Sequence, residues 1–208
     1  MFPMSIVHID RIRQSILDHS PRKVPVREKT RQAAVSVVLR PREENGTRDT
    51  EALFILRAQK EGDPWSGHMA FPGGHLEADD ESLRHAAERE THEEIGLDLI
   101  RYGEFIGQID PVQANPRGRD LDMVVTPFVY ELKHHDVRFE PNYEVADVLW
   151  GSLRDMHTGD AHTTGQFMVG GERVSYPGYG VGDEIVWGLT YRMLDLFFAM
   201  LDPDWVER

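Results

Sequence analysis

The chain has no cysteine among its 208 residues. Disulfide bonds, thiolate nucleophiles and cysteine-based zinc sites are therefore excluded. The sequence also lacks any apolar run approaching the ~20 residues that cross a membrane, and its first residues carry no signal-peptide pattern. We therefore expect a cytoplasmic protein with no membrane partner.

Positive charge is scarce. Lysine and arginine total 23 against 36 aspartates and glutamates, so the formal net charge is −13. Binding to long nucleic acids needs a basic surface, and this balance argues against it. A small phosphate ligand stays compatible if metal ions meet its charge. The 40% hydrophobic content is that of one ordinary globular domain with a real core.

The N-terminal region predicts a helix followed by a linker. Over residues 5–19, Ile6, Ile9, Ile12 and Ile16 form one apolar stripe, whereas residues 20–30 are rich in proline and charge. We expect residues 1–30 to pack on a single domain formed by residues 31–208. Two alternatives stay open for the stripe, which could instead form a homodimer or dock a partner protein.

The rest of the chain alternates strands with a few helices. A polar loop is expected at 42–50, a hairpin about Gly170-Gly171 and a C-terminal helix over 187–201. The segment 176–182 reads as a lid, an acyl-chain pocket or a plain turn. Strands are predicted over 33–39, 52–57, 105–109, 123–132 and 145–149, the last running into a short helical turn. Mixed strands with helices fit an α/β fold of the α/β/α sandwich type.

Three acids lie close together near the end of a helix that follows Gly73-Gly74. Successive helical residues turn by roughly 100°, so Glu93 and Glu94 lie at about −60° and +40° from Glu90. Like charges at this spacing repel, and the helix dipole adds to the cost near the C-terminus. The pattern indicates a divalent-cation site built from carboxylate oxygens. The alternative is a solvated acidic face.

An apolar edge runs beside these acids. Leu83, Ala87, Thr91 and Ile95 recur at intervals of four, so that edge should pack on a core. We expect Asp79 or Asp80 to cap the N-terminus of the helix, and Gly96 to end it in a left-handed conformation.

These residues resemble a known motif. Gly73-Gly74, then Asp80, then Arg89-Glu90-x-x-Glu93-Glu94-x-Gly96 is similar to the Nudix box of the Nudix hydrolases. Asp80 stands where most boxes have Glu, its distance to Arg89 is one residue longer than usual, and Thr91 replaces an aliphatic residue. The resemblance implies a Nudix-type α/β/α sandwich with a mixed sheet, an N-terminal helix and a C-terminal helix.

Two further runs are similar to the coenzyme A pyrophosphatase branch of that family. They are Phe71-Pro72-Gly73-Gly74 and the run Val-Trp-Gly-Leu-Thr at 186–190, although the second upstream arginine of the branch is absent. The resemblance implies hydrolysis of coenzyme A or acyl-CoA to adenosine 3′,5′-bisphosphate and 4′-phosphopantetheine. ADP-ribose, a dinucleotide such as NADH and a damaged nucleotide are alternative substrates. A Nudix-fold nucleotide sensor without activity is an alternative of another class.

The resemblance also implies roles for the acids of the box. Mg²⁺ or Mn²⁺ would be held by Glu90, Glu93 and Glu94, with the carbonyl of Gly73 as a backbone ligand. Such a cation neutralises the diphosphate and activates water. Arg89 would orient a carboxylate of the box, the alternative being a helix-surface ion pair.

The general base and the substrate contacts are less defined. Glu93, Glu144 and His134 are all candidates for the base. Three residues upstream of the box could bind a phosphate or stack on a nucleobase: Arg57, Trp65 and His68. Packing is the alternative for Trp65. A loop that contains proline and glycine carries three polar residues that could contact substrate phosphates: Asn115, Arg117 and Arg119. The alternative is a loop that is only solvated.

Overall fold

The computed structural model describes residues 5–44, 47–61, 65–114, 122–134, 136–169 and 171–207. Five helices and eleven strands occur in these ranges. The helices are α1 (Ile9–Asp18), α2 (Leu83–Ile95), α3 (Leu99–Tyr102), α4 (Leu153–Thr158) and α5 (Gly188–Leu201). The strands are β1 (Arg31–Glu44), β2 (Thr47–Arg57), β3 (Met69–Ala70), β4 (Gly73–His75), β5 (Gly103–Gln108), β6 (Val112–Ala114), β7 (Met123–Leu132), β8 (Val145–Ser152), β9 (His162–Val169), β10 (Glu172–Val181) and β11 (Glu184–Trp187).

Eight strands form the main sheet, in the order β3-β2-β1-β7-β5. Strand β4 also pairs with β1, β6 with β7, and β8 with β2. The β1–β7 pair is parallel and the other pairs are antiparallel, so the sheet is mixed. Strands β9, β10 and β11 form a separate antiparallel sheet.

Helices cover both faces of the main sheet. Along β1, Ala34 and Val38 belong to the apolar layer beneath α2, whereas Val35 and Val37 belong to the layer beneath α1 and α5. This alternation follows from the two-residue period of a strand. The arrangement confirms the predicted α/β/α sandwich with a mixed sheet.

The N-terminal helix packs on the chain's own core. Ile9, Ile12 and Ile16 are buried, and Arg13 forms ion pairs with Glu104 and Glu131. The helix begins at Ile9 rather than residue 5. The division of the chain at residue 30 and the homodimer stay predictions.

One predicted loop, and one segment with three alternative predictions, lie largely in strands. The expected polar loop at 42–50 is instead largely a hairpin in which Arg42 pairs with Asp49, with residues 45–46 outside the described ranges. Charged residues pair between the two strands of this hairpin: Arg40 and Arg42 both contact Glu51. The segment 176–182, read as a lid, a pocket or a turn, lies in β10 as far as Val181.

Three other predictions hold. Strands β9 and β10 form the predicted hairpin, although Gly170 itself lies outside the described residues. Strand β8 runs into the short helix α4, and α5 is the predicted C-terminal helix. In the part of the chain that the structure describes, no helix has the length and hydrophobicity to span a membrane.

Candidate active site

The helix α2 carries the acidic cluster and is capped at both ends. Ser82 is the N-cap, because its hydroxyl accepts a hydrogen bond from the backbone N–H of His85 at 3.1 Å. The prediction of Asp79 or Asp80 as the cap was therefore wrong. Gly96 ends the helix with a φ of 70°, as predicted.

Asp80 has a different partner, the guanidinium of Arg89. The Arg89 Nε lies 3.0 Å from Oδ1 of Asp80, and Nη2 lies 2.8 Å from Oδ2. Nη2 also donates to the carbonyl of His75 at 3.1 Å. This pairing lowers the pKa of Asp80 to about 2. Arg89 thus ties the middle of α2 to the loop between β4 and α2, and its Nη1 reaches Glu90 Oε1 at 3.1 Å.

Glu94 is a buried carboxylate held against the glycine pair. Its side chain is only 3% exposed, and Oε2 accepts a hydrogen bond from the backbone N–H of Gly73 at 2.8 Å. The Nη1 of Arg57 lies 3.9 Å from Oε1. Burial outweighs these two favourable contacts and raises the pKa of Glu94 to about 8. A cation beside Glu94 would favour its charged form.

Glu90 lies against the next glycine. A Cβ added to Gly74 would stand 2.3 Å from Oε1 of Glu90, so any larger residue there displaces the carboxylate. Burial also raises the pKa of Glu90. Gly73 and Gly74 therefore each set the position of one carboxylate, Glu94 and Glu90 respectively.

Both carboxylates line a cleft of about 320 Å³. Its acidic wall consists of Glu77, Glu90, Glu94 and Glu144. Its apolar wall includes Val35, Met123, Val125, Leu189 and Met193. Among the described residues, Arg57 is the only lysine or arginine in the lining. The cleft therefore offers one strong cation for a phosphate, and carboxylates that attract divalent metal.

The structure brings only some of the predicted residues to this cleft. Glu93 is absent from the described lining. Its side chain is 55% exposed and lies 3.5 Å from Arg89. The reason is rotational, because the next residue, Glu94, points about 100° away. His134 lies elsewhere, in a cavity with Gly96.

Glu144, the third candidate for the base, does line the cleft. Asn142 connects it to α2, donating from Nδ2 to the carbonyl of Glu93 at 2.9 Å and from its N–H to the carbonyl of Glu94 at 2.8 Å. The Oδ1 of Asn142 accepts from the N–H of Glu144 at 2.8 Å. Asn142 therefore satisfies helix-end carbonyls and fixes Glu144 relative to the box.

The upstream aromatic residues also reach the cleft. Trp65 and His68 are in its lining, although Trp65 also packs on the core. The His68 ring is 4.4 Å from that of Trp187, and Trp187 stacks on Phe167 at 3.7 Å. The predicted loop contacts lie outside the described residues: Asn115, Arg117 and Arg119.

Sequence reasoning missed several lining residues. Glu77 was unassigned because it precedes the helix, where no periodicity points it at the box. Met123 and Val125 alternate along β7, which indicates a shared face but not a shared cleft. Leu189 and Met193 come from the start of α5, distant in sequence. The run at 186–190 was the one signal that could have indicated Leu189.

Comparison with known proteins places the chain in a family. The model of the NUDIX domain matches residues 30–168. The chain belongs to the Nudix family. Most of the cleft lies within the match, but four of its lining residues lie beyond it: Trp187, Leu189, Thr190 and Met193.

Two relatives are similar to the chain over different shares of its length. The uncharacterized protein C14C4.10c of Schizosaccharomyces pombe is 34% identical over 113 residues, which are 53% of this chain and 34% of that protein. The mitochondrial coenzyme A diphosphatase NUDT8 of Mus musculus is 27% identical over 161 residues, covering 74% of this chain and 72% of that protein. The chain thus spans only about a third of the S. pombe protein's length.

Among solved structures, a MutT/nudix family protein from Enterococcus faecalis has a similar fold. The TM-score is 0.53 at 18% identity, covering 83% of this chain and 62% of that one. This similarity concerns the fold alone.

The donor set fits a hard divalent cation. Across the residues that the structure describes, no three His, Asp or Glu side chains are grouped as a ready-made metal cage. Mg²⁺ does not need one, because it retains several waters and binds through one or two carboxylates together with substrate phosphates. Glu90 and Glu94, both facing the cleft, are such a pair. The carbonyl of Gly73 stays a predicted further ligand.

Proposed function

We propose that the protein is a divalent-cation-dependent Nudix hydrolase that cleaves a nucleoside diphosphate linked to another group. One observation carries this proposal. The carboxylates of Glu90 and Glu94 are held against Gly74 and Gly73 and line one cleft, whose only described lysine or arginine is Arg57. Glu94 is buried and Glu90 is half-buried beside Arg89, and the repulsion between these two neighbouring carboxylates is relieved if a cation joins them.

Coenzyme A or an acyl-CoA is the substrate that we propose. The similarity to NUDT8 of Mus musculus and the run Phe71-Pro72-Gly73-Gly74 support it. The apolar wall supplies a third argument. Leu189, Met193 and Met123 form a surface suited to a flexible aliphatic arm, because methionine adapts to irregular shapes. ADP-ribose and NADH have no such arm.

The residues of the cleft would divide the work. Mg²⁺ or Mn²⁺, held by Glu90 and Glu94, would neutralise the diphosphate and make water a better nucleophile. Arg57 would contact a phosphate oxygen. Glu144 would accept the proton of the attacking water, since it alone of the three candidate bases lines the cleft. The water oxygen bonds to one phosphorus, the bridging P–O bond breaks, and the other phosphate leaves with the bridging oxygen.

Product analysis by mass spectrometry tests this function. The pure protein is incubated with coenzyme A, an acyl-CoA, ADP-ribose or NADH, each with Mg²⁺, with Mn²⁺ or with EDTA. Metal-dependent release of 4′-phosphopantetheine, or its acyl form, is expected. Cleavage of ADP-ribose or NADH alone would support hydrolysis of a diphosphate linkage and would contradict coenzyme A or acyl-CoA as the substrate. Tight nucleotide binding without any product would favour the sensor.

A further inference from the structure

A pair of hydroxyl groups is buried between α2 and the sheet. Thr91, on α2, and Ser36, on β1, are both 0% exposed. Their oxygens are 2.8 Å apart, and both lie near the carbonyl of Ala87, at 2.7 Å from Thr91 and 3.1 Å from Ser36. These three contacts form a triangle in which the two hydroxyl protons make two hydrogen bonds at a time: Thr91 donates to Ser36, and Ser36 donates to the carbonyl of Ala87.

The surroundings make this pair unusual. The same two elements contribute Ala34, Val38 and Ala86 to the apolar layer beneath α2. Hydroxyl groups cost free energy in such a layer unless they are fully hydrogen-bonded, whereas an aliphatic pair would pack there without that requirement. Fully satisfied polar pairs favour one geometry over others, since sliding the helix would break the triangle.

The pair stands next to the candidate cation ligands. Thr91 follows Glu90 directly and precedes Glu94 by one helical turn. On the sheet side, the N–H of Ser36 donates to the carbonyl of Pro72 at 2.8 Å. The next residue, Gly73, donates its N–H to Glu94. The hydrogen bonds therefore run from helix to strand, to the glycine loop and back to the helix.

We propose that Ser36 and Thr91 are positioning residues that set α2 on β1 so that Glu90 and Glu94 face the cleft together. The inference rests on the proposed function, because the positioned carboxylates matter as cation ligands. Neither Ser36 nor Thr91 is among the described residues that line the cleft. They act through the helix, as partners of metal ligands often do.

The chain offers closely matched variants for a test. Thr91→Val removes the hydroxyl at nearly constant volume, and Thr91→Ser keeps it. In Thr91→Val, Ser36 still donates to Ala87, and in Ser36→Ala, Thr91 still does, so both variants keep their remaining hydroxyl hydrogen-bonded and should fold. Thr91→Val removes the bond between the two hydroxyls and leaves the bond from Ser36 to Ala87, whereas Ser36→Ala removes both bonds between strand and helix.

Mn²⁺ binding, followed by the electron paramagnetic resonance signal of free Mn²⁺, is the direct readout. We expect Ser36→Ala to weaken Mn²⁺ binding about tenfold, and Thr91→Val to weaken it by a smaller factor because the bond from Ser36 to Ala87 remains. The double variant should bind no more weakly than Ser36→Ala, because Ser36→Ala already removes both bonds between strand and helix. Thr91→Ser should bind within about twofold of the original protein. The Mn²⁺ concentration that half-saturates turnover should shift in parallel.

The outcomes separate this inference from the proposed function. Unchanged Mn²⁺ affinity in Ser36→Ala, with only a lower unfolding midpoint, would make the pair merely structural and overturn the inference while the hydrolase stands. Additive losses in the double variant would also overturn it, since the two hydroxyls would then act separately. Absence of both Mn²⁺ binding and turnover in the original protein would overturn the proposed function itself.

Discussion

Arg89 and Asp80 form a two-pronged ion pair, with Nε 3.0 Å from Oδ1 and Nη2 2.8 Å from Oδ2. The Asp80 side chain is 1% exposed although it lies in a loop. The pair joins the middle of α2 to the segment that follows β4. It therefore holds Glu90 and Glu94 close to Gly74 and Gly73, and its geometry depends on the planar fork of arginine.

Arg89→Lys should weaken the fold more than its charge suggests. Lysine keeps the charge but cannot make the paired bonds to Asp80 or also reach the His75 carbonyl. We expect the free energy of unfolding, measured in urea, to fall by about 1.5–3 kcal/mol. Arg84→Lys, on the exposed face of the same helix, is the control and should cost under about 0.5 kcal/mol. Equal losses in the two variants would contradict this role for Arg89.

Glu94 should make the stability of the metal-free protein depend on pH. Its folded-state pKa of about 8 lies above the ordinary value of 4.5, so the folded protein binds more protons than the unfolded chain between these values. The stabilisation is complete below about pH 4.5 and is lost as the pH rises through 8. Each pKa unit corresponds to about 1.4 kcal/mol, so the loss amounts to several kcal/mol.

Urea unfolding in EDTA from pH 5 to 9 measures this effect. Glu94→Gln removes the titrating group and should flatten the decline relative to the original protein. Saturating Mn²⁺ should also flatten it, since a bound cation stabilises the carboxylate. Parallel curves for Glu94→Gln and the original protein would show that another group causes the pH dependence.

The two neighbouring glycines should respond differently to alanine. At Gly73 the φ is +151°, and a Cβ would meet the Ala34 carbonyl oxygen at 2.2 Å. Gly73→Ala should therefore cost roughly 3 kcal/mol of stability. At Gly74 the three atoms nearest to a Cβ all belong to the carboxylate of Glu90, at the end of a flexible side chain. Gly74→Ala should keep the fold and weaken Mn²⁺ binding about tenfold. Equal losses of stability in the two alanine variants would contradict this difference between Gly73 and Gly74.

Leu189 should affect substrate preference without affecting the chemistry. If the apolar wall takes the aliphatic arm, Leu189→Ala removes contacts worth about one or two methylene groups. KM for acyl-CoA should then rise about fivefold to tenfold with kcat nearly unchanged. Leu196→Ala, on the same helix but outside the cleft lining, is the control. A rise in KM of the same size for ADP-ribose, which has no such arm, would contradict binding of the aliphatic arm at the apolar wall.

Most of the architecture could be predicted from local patterns. The α2 helix, β7 and α5 all carry clear periodicity or an end signal such as Gly96, and they form as expected. The hairpin at 42–50 was missed because its stability comes from cross-strand partners, Arg40 and Arg42 with Glu51. A polar sequence with such pairs reads as a loop until the pairing is known.

The residues of the candidate site could likewise be predicted from the sequence only in part. The motif indicated Glu90 and Glu94, but rotation on the helix alone could not decide between Glu93 and Glu94 as the inward acid. Burial beside Gly73 settles which one faces the cleft, and that requires the sheet. Asp80 was read as a cap because its sequence position suited one, whereas its partner Arg89 lies nine residues on.

Turnover of the Glu94→Gln variant is the most direct test of a cation-dependent hydrolase. Glutamine keeps the size of the side chain and removes its charge, and it should not destabilise the fold. Hydrolysis of the best substrate with saturating Mg²⁺ or Mn²⁺ should fall by about a hundredfold or more, with the circular dichroism spectrum unchanged. Turnover close to that of the original protein would contradict the assignment of Glu94 to the cation and the proposed mechanism with it.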